Sequence, residues 1–247
     1  MKRILYYIYF FPIAIPLLLV TTVFAALTTI IGSMLGFSRN MGYWPGHIWA
    51  RLFCAISLVR VKVYGSQNIS KGQSYVFVAN HQGAYDIFAI YGFLGHNFRW
   101  MMKKSLEKIP LVGYSCRVSG HIYVDNSSRA AVKTTMSDAE QRLAGGMSVV
   151  VFPEGSRTLD GRMHAFRRGA YTLAVEFGLP VVPVTIDGAY DVLRRDSLLP
   201  HPGLIKLTIH PAIKAPEGGR HELAELMKES AEAIASALPL ENRPVSE

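Results

Sequence analysis

Two short stretches concentrate the residue types that do chemistry. In NHQGAYD, an apolar run ends at Asn80, His81 follows at once, and Asp86 stands five residues later. A histidine at the end of a buried strand, with a carboxylate in the first turn of the next helix, is held through Nδ1–H while Nε2 faces a cleft. That is half of a triad without its covalent nucleophile, and such a base takes a proton directly from a hydroxyl attacking a thioester carbonyl. In VFPEGSRT, Val151 to Thr158, a second apolar run meets Pro153 and Gly155, which set a tight turn that Glu154 can order. Arg157 then offers a planar fork suited to a phosphate. Read alone, each motif is better taken as ordinary structure, the first as a satisfied structural histidine and the second as a surface turn.

Both motifs need strands to carry them. VRVKVY (Val59 to Tyr64) alternates like a half-buried strand, whereas YVFVAN, SVVVF and VVPVTI are continuous apolar runs of the kind buried on both faces of a sheet. LIKLTIH, Leu204 to His210, is the last strand. Ser127 to Leu143 and Arg168 to Phe177 read as helices, and Glu222 to Leu238 as an amphipathic one with Leu223, Leu226, Met227, Ile234 and Leu238 on or near one face. The alternation predicts one layered α/β domain over residues 59–240, with a frayed tail at 241–247.

Residues 1–58 have a different texture. No charged residue occurs from Ile4 to Phe37, a run longer than the roughly 20 apolar residues that cross a bilayer and too long for a signal peptide's apolar core. Pro12, Pro16, Gly32 and Gly36 interrupt it, which predicts a broken helix or re-entrant hairpin over one uniform rod. Lys2 and Arg3 before it, and Arg39, Arg51, Arg60, Lys62 and Lys71 after it, draw both flanks to the cytoplasmic side. Tyr6, Tyr7, Tyr9, Phe10 and Phe11, followed by Trp44 and Trp49, are expected at a membrane interface.

Lys plus Arg number 26 against 18 for Asp plus Glu, a net charge of +8 that favours an anionic partner without choosing among nucleic acid, phospholipid and an acidic carrier protein. The chain is 50% hydrophobic with a mean hydropathy of +0.20, which argues for lipid over nucleic acid. Cys54 and Cys116 lie far apart in apolar surroundings and are expected as free thiols of a reduced compartment. His47, His96, His121, His164, His201, His210 and His221 have no partner at metal-ligand spacing, so no metal is expected. There is no G-x-S-x-G elbow, P-loop or H-E-x-x-H.

Taken together, the two motifs resemble the signature blocks NHxxxxD and FPEGxR(S/T) of the glycerolipid acyltransferases, the PlsC-type 1-acylglycerol-3-phosphate acyltransferase family. KKSLEKIPLVGY, AFRRGA and VVPVTIDG resemble supporting blocks of that family, in the same order, over roughly Val59 to His210. The resemblance implies a single mixed-sheet α/β domain with an N-terminal hydrophobic membrane-attachment segment. It makes His81 the base and Asp86 its orienter. Glu154, Gly155, Ser156, Arg157 and Thr158 become the acceptor-phosphate turn, with Lys103 or Lys104 adding charge. One position departs from the pattern: GHIYVDN ends in Asn126 where the family often has an arginine, which leaves that contact missing or supplied by Arg129.

The implied reaction moves a fatty acyl group from acyl-CoA or acyl carrier protein to the sn-2 hydroxyl of lysophosphatidic acid, with no bound cofactor. It belongs at the inner membrane with the domain facing the cytosol. Three rivals stand beside it: another lysolipid acceptor such as a lyso-ornithine lipid, a non-catalytic lipid-binding protein, and a nucleic-acid binder that rests only on net charge.

Overall fold

A computed structural model describes residues 2–125, 127–144, 146–216 and 220–244. The first helices are α1 (Lys2–Tyr9), α2 (Ile15–Gly32), α3 (Ser38–Met41) and α4 (Trp44–Ile56). Seven strands follow: β1 (Val59–Tyr64), β2 (Val76–Ala79), β3 (Phe98–Lys103), β4 (Ile122–Val124), β5 (Ser148–Val151), β6 (Val181–Asp187) and β7 (Gly203–Ile209). Between and after them lie α5 (Tyr85–Phe93), α6 (Val112–Val118), α7 (Arg129–Ala144), α8 (Gly169–Glu176), α9 (Ala189–Val192) and α10 (Arg220–Ser236).

The strands form one mixed sheet in the order β1-β7-β6-β2-β5-β3-β4. The five strands from β6 to β4 are mutually parallel, β7 opposes β6, and β1 runs with β7. Every parallel strand of that block therefore ends on one edge, where open α/β sheets place their sites. The continuous apolar runs are explained by burial on both faces. Phe77 and Ala79 of β2 pack with Ala50 and Cys54 of α4 and Ala89 and Ile90 of α5. Val76 and Val78, pointing the other way, meet Ala139 of α7, Tyr171 of α8 and Leu226 of α10. Of the expected α10 face, Leu226, Ile234 and Leu238 are buried, with Leu223 and Met227 packed beside them.

The sequence reading missed β3, because FRWMMK breaks its apolar pattern with Arg99 and Lys103. Arg99 is nonetheless buried, its guanidinium donating to Asn97 Oδ1 and to the carbonyls of Phe98, Ser38 and Arg39.

In the N-terminal run the two pairs of helix breakers act differently. Pro12 is absorbed as a wide π turn at Phe10–Ala14, but at Ser33–Phe37 the non-helical Gly36, φ 90°, kinks the chain between α2 and α3. The chain folds back from Gly36, bringing Met41 against Gly32, where an added Cβ would lie 2.3 Å from Met41 Cγ, and α4 then runs back along α2 and α1. Tyr9 Oη donates to the Ile56 carbonyl at 3.0 Å and Trp49 Nε1 to Thr22 Oγ1 at 2.9 Å, which fixes an antiparallel register. Tyr6 and Phe10 are buried in this seam, correcting their assignment to an interface with lipid. On the outer face, Leu19, Val20, Phe24 and Ile31 are each more than half exposed. The helical run Ile4–Met41 is long and apolar enough to cross a membrane by length and composition.

Candidate active site

Asn80 sits at the end of β2 and clamps that strand to β6, its Nδ2 donating to the Ile186 carbonyl and its Oδ1 accepting from the Ile186 N–H, both at 2.8 Å. His81 thus leaves the sheet at a fixed point. Its Nδ1 lies 2.7 Å from Asp86 Oδ2, an oxygen that also accepts the Gly83 N–H at 2.9 Å. A carboxylate only accepts, so the proton of the pair sits on Nδ1, and in the neutral imidazole this leaves the lone pair on Nε2. Asp86, on the first turn of α5, is wholly buried, and burial pushes its carboxyl above the ordinary range against the pull of the His81 hydrogen bond. The imidazole stacks flat on Phe152, centroids 3.9 Å apart and planes 8° apart, with 15% of the side chain still open to solvent. Gly83 is required by closeness: a Cβ there would lie 2.6 Å from the Ala189 carbonyl oxygen.

The second motif folds directly against the first. Glu154 is buried, one oxygen accepting the His81 N–H at 2.7 Å and the other the His164 N–H at 2.8 Å. Thr158 N–H donates to the His81 carbonyl at 2.9 Å, so both main-chain groups of His81 are held by the turn. Gly155, at φ 77°, makes the corner, and a Cβ there would lie 2.9 Å from the Arg167 guanidinium carbon. Arg157, half-buried, directly precedes Thr158, and its carbonyl accepts from Arg195 Nη1 at 2.9 Å. Ser156 is half-buried in the same turn and Thr158 is buried, its hydroxyl donating to Asp160 Oδ1 at 2.8 Å.

The lysines are placed differently from one another. Lys103 ends β3, exposed on the same sheet edge as His81, whereas Lys104 is taken up by Asp125 at 2.8 Å. Asn126 and the side chains of Arg129 and His221 lie outside the described residues. Among the described residues no cluster of His, Cys, Asp and Glu could hold a metal ion. His47, His96, His201 and His210 bond to Tyr91, Ser148, Tyr7 and Thr185, and His121 accepts the Trp100 N–H. Both cysteines are free thiols, and burial pushes the Cys116 thiol up to about 11. Sequence reasoning had no signal for the Phe152 stack or for Glu154 spanning both motifs, since each depends on β2 and β5 being neighbours.

Burial lifts the Glu154 carboxyl from 4.5 to about 7, against the two backbone donors that favour its charge. An acid raised in this way supports the fold fully below about 4.5, and that support is lost as pH rises through about 7, a swing of up to roughly 3 kcal/mol. In Glu154→Gln the swing disappears, and the amide NH2 confronts one of the two N–H donors. Melting temperature followed from pH 4 to 8 should therefore fall more steeply with pH in the wild type than in the variant. Parallel curves would refute the assignment.

The match to known proteins is broad. The model of the family described as Acyltransferase matches residues 60–187. A 1-acyl-sn-glycerol-3-phosphate acyltransferase of Chlamydomonas reinhardtii is 29% identical over 97% of this chain and 70% of its own length. One of Pseudomonas aeruginosa is 31% identical over 81% of this chain and 76% of its own. Among solved structures, the crystal structure of the 1-acyl-sn-glycerophosphate (LPA) acyltransferase PlsC from Thermotoga maritima superposes with a TM-score of 0.77 at 28% identity, covering 94% of this chain and 93% of that one.

Proposed function

The chain belongs to the acyltransferase family, and from that footing we propose that it transfers a fatty acyl group from acyl-CoA or acyl carrier protein to the sn-2 hydroxyl of lysophosphatidic acid, giving phosphatidic acid. One observation carries the reading: a histidine–carboxylate pair and an arginine turn, far apart in sequence, are tied together through both main-chain groups of His81. His81 takes the proton of the acceptor hydroxyl as its oxygen attacks the thioester carbonyl, the C–S bond then breaks and the imidazolium, balanced by Asp86, returns that proton to the departing thiolate, while Arg157 grips the phosphate. Acceptor and product are both lipids, which gives the exposed apolar face of α1 and α2 its purpose as an anchor at the inner membrane, with the domain on the cytosolic side.

The test is to offer the purified protein a panel of lysolipids with each thioester donor and to identify products by mass. Arg157→Lys keeps the charge and loses the fork, and Arg157→Ala loses both, so activity on lysophosphatidic acid should fall in that order. The loss should run from roughly tenfold to several-hundredfold and fall chiefly on the acceptor's KM. An unchanged dependence on lysophosphatidic acid in Arg157→Ala would remove the phosphate assignment. A lysolipid without a terminal phosphate would then be the better acceptor, in keeping with Asn126.

A further inference from the structure

Beside the Arg157 turn, two loops carry apolar side chains out into solvent. Leu159 is 62% exposed, Leu198 94% and Leu199 41%. The first loop is tied to α9, where Tyr190 Oη donates to the Leu159 carbonyl at 2.9 Å, and to the second loop, where Arg195 Nη1 donates to the carbonyl of Arg157. They are also bound to the N-terminal helix, because Tyr7 Oη lies 3.1 Å from His201 Nδ1. Tyr6 of α1 and Leu199 of the loop share the walls of an open cavity of about 830 Å³. Ile4, Leu5 and Ile8 of the same helix are exposed.

A leucine projecting almost wholly into water has no packing role. Here the neighbouring charges are of both signs, Arg162, Arg194 and Arg195 against Asp160, Asp191 and Asp196, and Asp160 is already engaged by the Thr158 hydroxyl and the Arg162 N–H. Arginines flanking exposed leucines can lay their stems along acyl chains and keep their guanidinium groups at phosphate level.

We propose that loops 157–162 and 193–202 form a second membrane contact, continuous with α1, whose leucines enter the lipid surface next to the Arg157 turn. The proposal rests on the lipid-acyltransferase reading above. It adds a reason why the turn should face lipid: the two loops that support Arg157 dip into the surface from which a lysolipid headgroup must rise. Leu198 and Leu199 lie outside the groups that hold His81, so their replacement leaves the chemistry intact.

The full-length double variant Leu198→Glu/Leu199→Glu is compared with the wild type on two acceptors. One is a short-chain lysophosphatidic acid below its critical micelle concentration, with the enzyme in detergent; the other is a long-chain one embedded in phosphatidylethanolamine/phosphatidylglycerol vesicles. We expect wild-type turnover on the first and a loss of roughly tenfold or more on the second, as befits two leucines no longer buried. In parallel, Leu198→Trp in vesicles containing brominated lipid should show tryptophan quenching beyond that of the wild type, which has its own tryptophans. Equal activity on both acceptors, an equal loss on both, or no added quenching at position 198 would overturn the proposal. An inactive wild type on the soluble acceptor would overturn the acyltransferase reading instead.

Discussion

Replacing His81 with alanine should abolish transfer, with a fall of about a hundredfold to ten-thousandfold, the range in which a positioned general base acts. The geometry makes this a selective lesion. The main chain at position 81 is held by Glu154 and Thr158 whatever the side chain, so the phosphate turn should keep its shape. What disappears is the imidazole between Asp86 and Phe152. Melting temperature and acceptor binding should therefore change little while turnover collapses. Turnover within a few-fold of wild type would remove His81 from the mechanism. Loss of turnover together with loss of acceptor binding would mean that the histidine holds the site together instead of acting as its base.

Asp86→Asn should be nearly as severe, on the order of a thousandfold or more, for one of two reasons that can be told apart. The amide either turns its NH2 to Nδ1 and forces the proton onto Nε2, or turns its oxygen to Nδ1 and keeps the tautomer without the charge that balances an imidazolium. Nitrogen chemical shifts of the His81 ring distinguish them. Stability should move the other way. Asp86 is wholly buried and its carboxyl is pushed up by that burial, so a neutral amide of the same shape relieves a desolvation cost. An inactive protein that melts at the same temperature or higher is the expected result. Activity within tenfold of wild type would show that Asp86 serves only the turn at Gly83.

Much of this was legible before any coordinates. His81 and Asp86, five apart after a strand, can scarcely avoid each other, and the apolar runs of β2, β5 and β6 announced strands buried on both sides. The meeting of the two motifs was not legible from spacing, because it follows from β5 pairing with β2 across an intervening β3 and β4, and the order of a parallel sheet leaves no local trace in sequence. β3 was hidden for a chemical reason. Its Arg99 is buried with its donors spent on the carbonyls of Ser38 and Arg39, and a lone sequence gives no sign that an arginine will be satisfied from the tip of a helical hairpin. Tyr6 and Phe10 depart from the expectation because residues suited to a lipid interface are equally suited to a helix seam, whereas Phe11 stays exposed.

The interface of α4 with α5 bears on how such a molecule would find its substrates. Phe53 lies flat on Phe88 at 3.8 Å, Trp49 meets the same ring edge-on, and Arg51 Nε donates to the Gly92 carbonyl at 2.7 Å. The helix that carries Asp86 is thus bolted to the hairpin, and β1 begins only three residues after α4 ends, so no slack tether separates them. With the hairpin in a bilayer, the site rides at one constant height and cannot swing out to sample the aqueous phase. Its search for acceptor is then two-dimensional, governed by lateral diffusion. Its rate should follow the mole fraction of lysolipid in the leaflet and fall when inert lipid dilutes that surface, even at fixed bulk concentration.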